Sequence, residues 1–359
     1  MKKVLVVDDS ALVRRLLSEE ISKFPEFTVV GSAIDPYDAR EKIYQLRPDI
    51  ITLDLEMPRM DGLSFLAKLM KYHPLPVVVV SSQAKEGSKA ALQALGFGAV
   101  EIVPKPGSQF SIPDVAHSLI HALRAAAAIA PEKLRLRGQT GNAGTHPAPI
   151  LLKTTSKIVA IGASTGGTQA IETVIRGMPA DAPGTVVVQH MPEAFTRAFA
   201  ERLNTVCAME VREARDFDDV TTGTVLIAPG DRHMILRKNG ARYQVRVKDG
   251  PRVHFQRPSV DVLFQSVARS AGQNAVGVIL TGMGSDGAKG MLDMHRHGAH
   301  TIAQDEQSSV IYGMPRAAVK LGAVDAILPL SEIAGAILES IKVARDSANG
   351  ASGCQQGVS

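Results

Sequence analysis

The stretch "KIVAIGASTGG", Lys157 to Gly167, joins a short apolar run to a glycine-rich turn that holds one serine. An apolar run of this length predicts a buried strand, and the glycines predict a tight turn at its end. The residues after the turn have helical spacing, so the stretch predicts one strand–turn–helix unit. Five further apolar runs follow along the chain: "GTVVVQHM", "TVLIAPG", "AVGVILTGMG", "AHTIAQD" and "AVDAILPL".

This alternation of strand and helix patterns predicts a Rossmann-like α/β domain with a parallel sheet over residues 157–345. The first 122 residues alternate in the same way, with strand-like runs at "KVLVVDD", "TVVGSA", "DIITLDL", "VVVVSS" and "AVEIVPKP". We therefore expect an α/β domain of the doubly wound, flavodoxin-like kind over 1–122. Residues 123–156 contain "QTGNAGTHPAP" and are predicted to be a linker, and 346–359 a flexible tail.

Composition excludes several classes of protein. A chain of 359 residues suits two domains of ordinary size. Lysine and arginine exceed aspartate and glutamate by 40 − 36 = 4. This small positive excess is spread along the chain, which argues against nucleic acid binding. Cys207 and Cys354 suggest no disulfide framework. No apolar run approaches the ~18 residues of a membrane span, and "MKKVLVVDDS" does not fit a signal peptide. We expect a cytoplasmic protein without direct membrane insertion.

Polar side chains stand at the ends of the strands predicted for the first domain. They are Asp8, Asp9, Asp54, Ser81, Ser82 and Lys105. Ligands in open parallel sheets bind beyond these strand ends. Converging carboxylates repel one another unless a hard cation such as Mg²⁺ lies among them, and an aspartate can attack phosphorus to give an acyl phosphate. Each residue by itself also fits a helix cap, a loop residue or a solvated lysine, but the combination favours a phosphoryl-transfer site.

The motifs "VVDDSALVRRLL", "LDLEMPRMDGLSFL", "VVVVSS" and "VPKP" resemble those of two-component response-regulator receiver domains over nearly the whole first domain. The resemblance implies that Asp54 is the phosphoacceptor. It also implies that Asp8 and Asp9 position Mg²⁺ and that the backbone carbonyl of Glu56 adds a ligand.

The same resemblance implies contacts to the phosphoryl group from Ser81, which would hydrogen-bond one of its oxygens, and from Lys105, which would pair with it. The Lys105–Pro106 bond is expected to be cis, which would aim the lysine inward. Ile102 departs from the pattern, because many receivers carry an aromatic switch residue at that position. We therefore do not expect an aromatic rotamer switch.

The serine of the second domain lies in "GASTG", Gly162 to Gly166, which fits the pattern G-x-S-x-G. A serine nucleophile needs a base, and the base needs an orienting acid. Two later strand ends supply His190 in "VVVQHMP" and Asp286 in "TGMGSDGAKGM". We therefore expect Ser164, His190 and Asp286 at one rim of the sheet. Their chain order is no objection, because a triad is defined by geometry.

Other interpretations of this region stay open. Each of the three residues can by itself be a cap or a turn former, and the glycines around Ser164 could instead cradle a phosphate. In "TGMGSDG" the glycines could turn backbone N–H groups toward an oxyanion, and we nominate the Met283 amide as donor. The remaining histidines lack the spacing of a zinc site; they include His233, His295, His297 and His300.

Joined to a receiver, six motifs of the second domain resemble the chemotaxis protein-glutamate methylesterases, the CheB family, over about the whole chain: "IGASTGG", "VVQHMP", "IAPGDRHM", "RPSVDVLF", "LTGMGSDGAKGM" and "QDEQSSVIYGMPRAA". The resemblance implies that Ser164, His190 and Asp286 form the triad of an enzyme that hydrolyses glutamate γ-methyl esters and deamidates certain glutamines. It implies the cytoplasmic domains of methylated chemoreceptors as substrates, a histidine kinase as phosphodonor, and no cofactor in the esterase site.

The presence of both sites on one chain suggests regulation. An unphosphorylated receiver could cover the esterase rim, and an acyl phosphate at Asp54 could weaken that packing. Two alternatives compete with the esterase hypothesis. One is a receiver joined to a non-enzymatic phosphate- or nucleotide-binding module, and the other is a DNA-binding response regulator, although the C-terminal half has no evident helix-turn-helix.

Overall fold

The computed structural model of the chain describes residues 1–57, 61–81, 85–105, 112–129, 133–134 and 157–352. These residues form two compact units, one built mainly from the N-terminal part of the chain and one built mainly from the C-terminal part. Each unit has a parallel β-sheet of its own. Within the described ranges, no helix combines the length and the apolar character needed to cross a bilayer.

The N-terminal unit is built on a five-stranded parallel sheet in the order β2-β1-β3-β4-β5. Its strands are β1 (Lys2–Val7), β2 (Phe27–Ala33), β3 (Ile50–Asp54), β4 (Val77–Ser81) and β5 (Glu101–Pro104). Its helices are α1 (Ala11–Ser22), α2 (Pro36–Leu46), α3 (Gly62–Tyr72), α4 (Lys85–Gly96) and α5 (Ile112–Ala128). This strand order is flavodoxin-like, which confirms the predicted fold class. The chain reverses its direction across the sheet between β1 and β3, so a crevice is expected beyond their carboxyl ends.

The sequence of this unit explains its layers. Strands β3 and β4 are buried at all five of their positions, as expected for parallel strands covered on both faces. Side-chain caps begin the helices: the Ser10 hydroxyl accepts a hydrogen bond at the start of α1, and the Asp35 carboxylate accepts two at the start of α2. Such caps satisfy N–H groups that have no partner inside the helix.

The C-terminal unit contains a seven-stranded parallel sheet in the order β14-β13-β12-β6-β7-β9-β8 and a separate antiparallel hairpin, β10–β11. The sheet strands are β6 (Ile158–Ala163), β7 (Gly184–Gln189), β8 (Glu210–Glu213), β9 (Thr224–Ile227), β12 (Ala275–Ile279), β13 (His300–Gln304) and β14 (Ala326–Leu328). The hairpin strands are β10 (His233–Asn239) and β11 (Arg242–Lys248). The helices are α6 (Gly167–Arg176), α7 (Glu193–Val206), α8 (Val260–Ala271), α9 (Ala288–Arg296), α10 (Met314–Lys320) and α11 (Leu330–Ser352).

Strand β6 lies at the centre of this sheet, between β7 and β12. The chain first extends the sheet through β7 and later returns to the other side of β6 with β12, so a second crevice is expected between β6 and β12. Helix α8 packs closely on β6 because Gly162 has no side chain: a Cβ there would lie 2.2 Å from Val260 Cγ1. The parallel-sheet α/β fold predicted for this unit is confirmed.

Two predicted boundaries differ from the observed elements. Helix α5 continues to Ala128, beyond the predicted domain end at 122, because Leu123, Ala125 and Ala126 are buried and alanine favours helix. Most of the predicted linker, 123–156, lies outside the described residues. Helix α11 continues to Ser352 without a proline to end it, so the tail predicted from 346 begins within a helix, and 353–359 lie outside the described residues.

Candidate functional site

The crevice of the N-terminal unit holds two buried carboxylates around one lysine. Asp8 follows β1 and Asp54 ends β3, and both side chains are fully buried. Lys105 Nζ lies 2.6 Å from Asp54 Oδ2 and 3.2 Å from Asp8 Oδ2. Backbone N–H groups hold the other two oxygens, since Ser10 donates to Asp8 Oδ1 at 2.9 Å and Glu56 donates to Asp54 Oδ1 at 3.0 Å. Both carboxylates are therefore fixed in orientation.

Negative charge exceeds positive charge in this crevice. Burial raises the pKa of Asp8, and the charge of Asp54 raises it further against the lowering effect of Lys105. For Lys105, burial acts to lower the pKa, but the hydrogen bond and charge of Asp54, with help from Asp8, raise it above its usual value. Among the described residues, the buried Asp8 Oδ2 has no hydrogen-bond partner, and it faces Lys105 Nζ only as an ion pair at 3.2 Å.

The donor atoms fit a hard divalent cation. Asp8, Asp9 and Asp54 each offer one carboxylate oxygen, and these atoms lie within 4.8 Å of one another. Mg²⁺ prefers oxygen ligands and is usually held by one or two carboxylates together with waters. The excess of negative charge and the unbonded oxygen of Asp8 are what such an ion would compensate.

The structure brings the other predicted residues of this site to the same edge of the sheet. Ser81 ends β4 and is buried, and the Lys105 N–H donates to the Ser81 carbonyl at 2.9 Å. Ile102 is buried within β5. Ser82 and the predicted cis bond to Pro106 lie outside the described residues.

In the C-terminal unit, Ser164 directly follows β6 and is buried in a turn that only small residues permit. Its N–H donates to the Thr281 carbonyl at 3.0 Å, which ties the turn to the segment after β12. Gly282 packs against it, since a Cβ there would lie 2.7 Å from Ser164 Cβ. Gly166 begins α6 with a φ of 79°, a left-handed conformation that favours glycine. The serine is thus fixed between two strand ends.

His190 directly follows β7, and its Nε2 lies 2.8 Å from Asp286 Oδ2. Both side chains are buried. Three further donors, all at the start of α8, reach the same carboxylate: Ser259 Oγ at 2.8 Å, the Val260 N–H at 2.8 Å and the Asp261 N–H at 3.0 Å. The carboxylate lies at a helix N-terminus, which favours negative charge.

These donors determine the charge of Asp286. Burial by itself would raise its pKa, but the hydrogen bond and charge of His190 and the two backbone N–H groups together lower it below the usual value. Asp286 is therefore ionised at neutral pH and accepts a hydrogen bond from the protonated Nε2 of His190. This arrangement leaves Nδ1 of the imidazole as the basic nitrogen.

Three buried atoms of this site make no hydrogen bond within the described part of the chain: Ser164 Oγ, His190 Nδ1 and Oε1 of the neighbouring Gln189. Buried polar atoms are nearly always paired, so each such exception requires an explanation. A neutral hydroxyl and a basic nitrogen left open beside an oriented carboxylate are the components that nucleophilic acyl transfer needs.

Gln189 is a site residue that the sequence analysis missed. Its Nε2 donates to the Ser164 carbonyl at 2.9 Å and to the His190 carbonyl at 3.1 Å, so one side chain connects both backbones. Gly167 leaves the space for it, since a Cβ there would lie 2.2 Å from Gln189 Oε1. The available signal was a polar residue at the end of an otherwise apolar strand, next to the histidine.

The structure also shows what surrounds the remaining candidates. The Met283 N–H, nominated as oxyanion donor, makes no hydrogen bond to any described residue. His233 lies at the start of β10, where its Nε2 is 2.9 Å from the Pro251 carbonyl. His295 and His300, which the sequence analysis paired with no carboxylate, both lie near Asp325, at 3.1 and 3.4 Å.

Comparisons with known proteins agree with this division into two sites. The family model of the response regulator receiver domain matches residues 4–116, and that of the CheB methylesterase matches residues 159–337. Receiver domains generally bind Mg²⁺, as the acidic cluster of the first unit would allow.

Two relatives resemble the chain over nearly its whole length. Protein-glutamate methylesterase/protein-glutamine glutaminase 2 of Syntrophus aciditrophicus is 55% identical over 339 residues, which cover 94% of this chain and 99% of that protein. Protein-glutamate methylesterase/protein-glutamine glutaminase 4 of Anaeromyxobacter dehalogenans is 54% identical over 336 residues, with 94% of each covered. The crystal structure of the Thermotoga maritima CheB methylesterase catalytic domain matches with a TM-score of 0.51 and 36% identity, covering 52% of this chain and 98% of that domain. Its motifs, its two sites and these relatives together place the chain in the CheB methylesterase family, with a response regulator receiver domain at its N-terminal end.

Proposed function

We propose that this chain is a phosphorylation-controlled hydrolase that demethylates glutamate γ-methyl esters and deamidates glutamines through Ser164, His190 and Asp286. The observation that carries the proposal is that two buried atoms, Ser164 Oγ and His190 Nδ1, have no hydrogen-bond partner among the described residues, while His190 Nε2 lies 2.8 Å from Asp286 Oδ2. The names of the relatives, protein-glutamate methylesterase/protein-glutamine glutaminase, support the same reaction.

The first half of the reaction forms an acyl-enzyme. His190 Nδ1 takes the proton of Ser164 Oγ as that oxygen bonds to the γ-carbonyl carbon of the substrate. The carbonyl oxygen becomes an oxyanion. When the tetrahedral intermediate collapses, the bond from carbon to the methoxy oxygen breaks, and His190 gives its proton to the departing methanol. A glutamine substrate follows the same route and releases ammonia.

The second half restores the enzyme. His190 removes a proton from water as the water oxygen attacks the ester carbon of the acyl-enzyme. The bond from this carbon to Ser164 Oγ then breaks, and His190 returns the proton to Ser164 Oγ. The product is a glutamate side chain. Asp286 holds the proton-bearing Nε2 throughout and stabilises the imidazolium that forms in each half. The mechanism requires no cofactor in the esterase site.

The oxyanion needs a donor that is free when the substrate arrives. The Met283 N–H follows Gly282, which packs against Ser164, and it makes no hydrogen bond to a described residue. We assign it as an oxyanion donor, because a backbone N–H already in place stabilises developing charge at no cost of reorganisation.

In the receiver unit, Asp54 is proposed to attack phosphorus and form an acyl phosphate. Mg²⁺ would be held by Asp8, Asp9 and Asp54 with the backbone carbonyl of Glu56, and it would supply charge neutralisation for the phosphoryl group. Ser81 and Lys105 would contact the phosphoryl oxygens. The 2.6 Å ion pair between Lys105 and Asp54 supports this assignment, since the lysine is already at the reacting carboxylate.

The proposed partners follow from the family. We propose methylated chemoreceptor cytoplasmic domains as the substrate and a histidine kinase as the phosphodonor, which would place the protein in the cytoplasm. The relatives' names do not favour a non-enzymatic phosphate- or nucleotide-binding module, nor a DNA-binding regulator.

Methanol release from a methyl-labelled receptor cytoplasmic domain tests the proposal. Wild type, Ser164→Ala and Asp54→Ala are compared, each with and without a small phosphodonor and Mg²⁺. We expect no release by Ser164→Ala, and a rate for Asp54→Ala that does not respond to the donor. A serine-directed phosphonate probe should label wild type but not Ser164→Ala. Failure of wild type to release methanol or to react with the probe would favour the binding-module alternative.

A further inference from the structure

A second imidazole–carboxylate pair lies beside Asp286. Asp261, the second residue of α8, is buried, and His254 Nε2 lies 3.1 Å from its Oδ2. The Gly290 N–H donates to Asp261 Oδ1 at 2.7 Å. Both oxygens of this carboxylate are therefore held, as those of Asp286 are.

The two pairs are adjacent. The backbone N–H of Asp261 donates to Asp286 Oδ1 at 3.0 Å. One oxygen of each carboxylate and one ring nitrogen of His254 lie within 4.8 Å of one another. Like charges at this separation in a partly desolvated site interact strongly. The charge state of the His254–Asp261 pair must therefore affect the electrostatic potential at Asp286 and, through Asp286, at His190.

The turn that carries His254 is kept in an unfavourable conformation. Val253 and Gln256 exchange two backbone hydrogen bonds, of 3.0 and 2.8 Å. Between them, His254 and Phe255 have φ values of 51° and 62°. Such turns normally use glycine or asparagine there. Strained backbone of this kind persists where the surrounding contacts fix it, often at functional sites, and here it brings the His254 imidazole onto Asp261.

The other charged groups of the neighbouring elements have contacts of their own. Arg252 and Arg257 both pair with Asp231, and Arg232 lies 3.7 Å from Asp249. The ring nitrogens of His233 contact the Pro251 carbonyl and the Ser259 N–H. Lys289 of α9 is exposed. Within the described residues, His254 is thus the cation-forming side chain that pairs with Asp261.

We propose that Asp261 and His254 are positioning residues that tune proton transfer between Ser164 and His190. The negative charge of Asp261 favours the protonated form of His190, and His254, when it is protonated, opposes this effect by balancing the charge of Asp261. Burial, followed by the charge of Asp286, raises the pKa of Asp261, in keeping with an interaction between the two carboxylates. The inference rests on the proposed function and adds Asp261 and His254 to the residues that determine how its site works.

The test is the pH dependence of Ser164 labelling by a small phosphonate probe on the full-length chain. Asp261→Asn keeps the backbone N–H to Asp286 and an acceptor for Gly290 but removes the charge. We expect the acid limb of its rate profile to move to lower pH by about one unit. His254→Gln removes the opposing cation and should move the limb to higher pH. His295→Gln, taken from the distant pair with Asp325, is the matched control and should move nothing.

Opposite shifts in Asp261→Asn and His254→Gln support the inference, while shifts of the same sign, or none, overturn it. If Asp261→Asn lowers the midpoint of thermal unfolding by more than about 10 °C, His254→Gln decides alone, with a shift to higher pH in support and no shift against. If wild type is labelled but neither variant shifts the acid limb of the pH profile, this inference is overturned and the proposed function stands. Absence of labelling in wild type overturns it together with the proposed function.

Discussion

The two units use the same point of a parallel sheet for opposite purposes. In the N-terminal unit, Asp8 follows β1 and Asp54 ends β3, the two strands between which the chain reverses its direction across the sheet. In the C-terminal unit, Ser164 follows β6 and Asp286 follows β12, which are the corresponding two strands. In the first crevice, two buried carboxylates share one lysine, and one of their oxygens has no hydrogen bond to a described residue. In the second, the carboxylate facing the histidine has four donors, and the atoms with no hydrogen bond to a described residue include a neutral hydroxyl and an imidazole nitrogen.

The difference indicates how each site is suited to the reaction proposed for it. A crevice with unbalanced charge is prepared to receive charged ligands, a cation and a phosphoryl group, and it is destabilised until they arrive. A crevice in which the carboxylate has a full set of donors, with an unpaired hydroxyl and an unpaired ring nitrogen beside it, is suited to moving a proton. Four substitutions can break or sharpen this contrast.

The largest effect is expected for Asp286→Asn. An amide donor facing His190 Nε2 would require that nitrogen to accept, so the proton would move to Nδ1 and the base would be lost. Turnover of the methyl ester should fall about 10⁴-fold, as in other triads with this change, while phosphorylation of Asp54 is retained. Asp325→Asn, at the His295 pair, is the control and should keep its rate. A loss of less than tenfold for Asp286→Asn would contradict the assigned orientation of the ring.

The same substitution should change the acid stability of the chain. The pKa of Asp286 is lowered by His190 and the donors of α8 although burial acts to raise it. Its contribution to the free energy of unfolding is therefore present above about pH 4, the ordinary value for aspartate, and is lost as pH falls through the lowered pKa. Thermal unfolding between pH 2 and pH 7 should show this loss in wild type and a weaker one in Asp286→Asn.

Met283→Pro removes the proposed oxyanion donor without touching the triad. We expect turnover to fall by about 100- to 1000-fold, the usual effect of losing one such donor. Met283→Ala keeps the N–H and is the matched control. Equal rates in the two variants, at equal unfolding midpoints, would rule out the Met283 amide as a donor.

Gln189→Met tests the side chain that connects the backbones of Ser164 and His190. Methionine has a similar volume but donates no hydrogen bond, so the nucleophile and the base should lose part of their alignment. A fall in kcat of about 10- to 100-fold with little change in KM is expected. Gln244→Met, on the β10–β11 hairpin, controls for the chemical change. A change confined to the unfolding midpoint would make Gln189 a packing residue.

The smallest effect concerns the other crevice. Burial raises the pKa of Asp8, so its charged form costs stability at neutral pH in the absence of Mg²⁺. Asp8→Asn keeps the acceptor for the Ser10 N–H and should raise the unfolding midpoint of the receiver unit by a few degrees. It should also abolish stabilisation by added Mg²⁺. Asp9→Asn, whose carboxylate is exposed, should leave the metal-free midpoint unchanged. A lowered midpoint for Asp8→Asn would mean that its ion pair with Lys105 outweighs its burial.

Strand ends were the part of both sites that the sequence could predict. Apolar runs mark buried strands, and in parallel sheets the residues just after them converge, so Asp8, Asp54, Ser164, His190 and Asp286 could be nominated before any coordinates. The α/β class of both units followed from the same alternation. The motifs then narrowed the chemistry to phosphoryl transfer and acyl transfer.

Residues that act across the fold could not be predicted in this way. Asp286 receives hydrogen bonds from Ser259, Val260 and Asp261, 25 to 27 positions away along the chain, and no periodicity relates these positions. The contact of His254 with Asp261 depends on a turn with positive φ at two ordinary residues, which the sequence does not signal. The predicted domain boundary at 122 falls inside α5, because the alanine run that suggested a change of composition has buried residues and continues the helix.

The hydrogen bonds from the start of α8 to Asp286 have a consequence for the chain before it is fully folded. The acid is held in place only when that helix has docked on β6 and the segment after β12 has closed beside them. A newly made or partly opened molecule therefore carries a serine without an oriented base. On the proposed mechanism, hydrolytic activity therefore appears only together with the completed sheet.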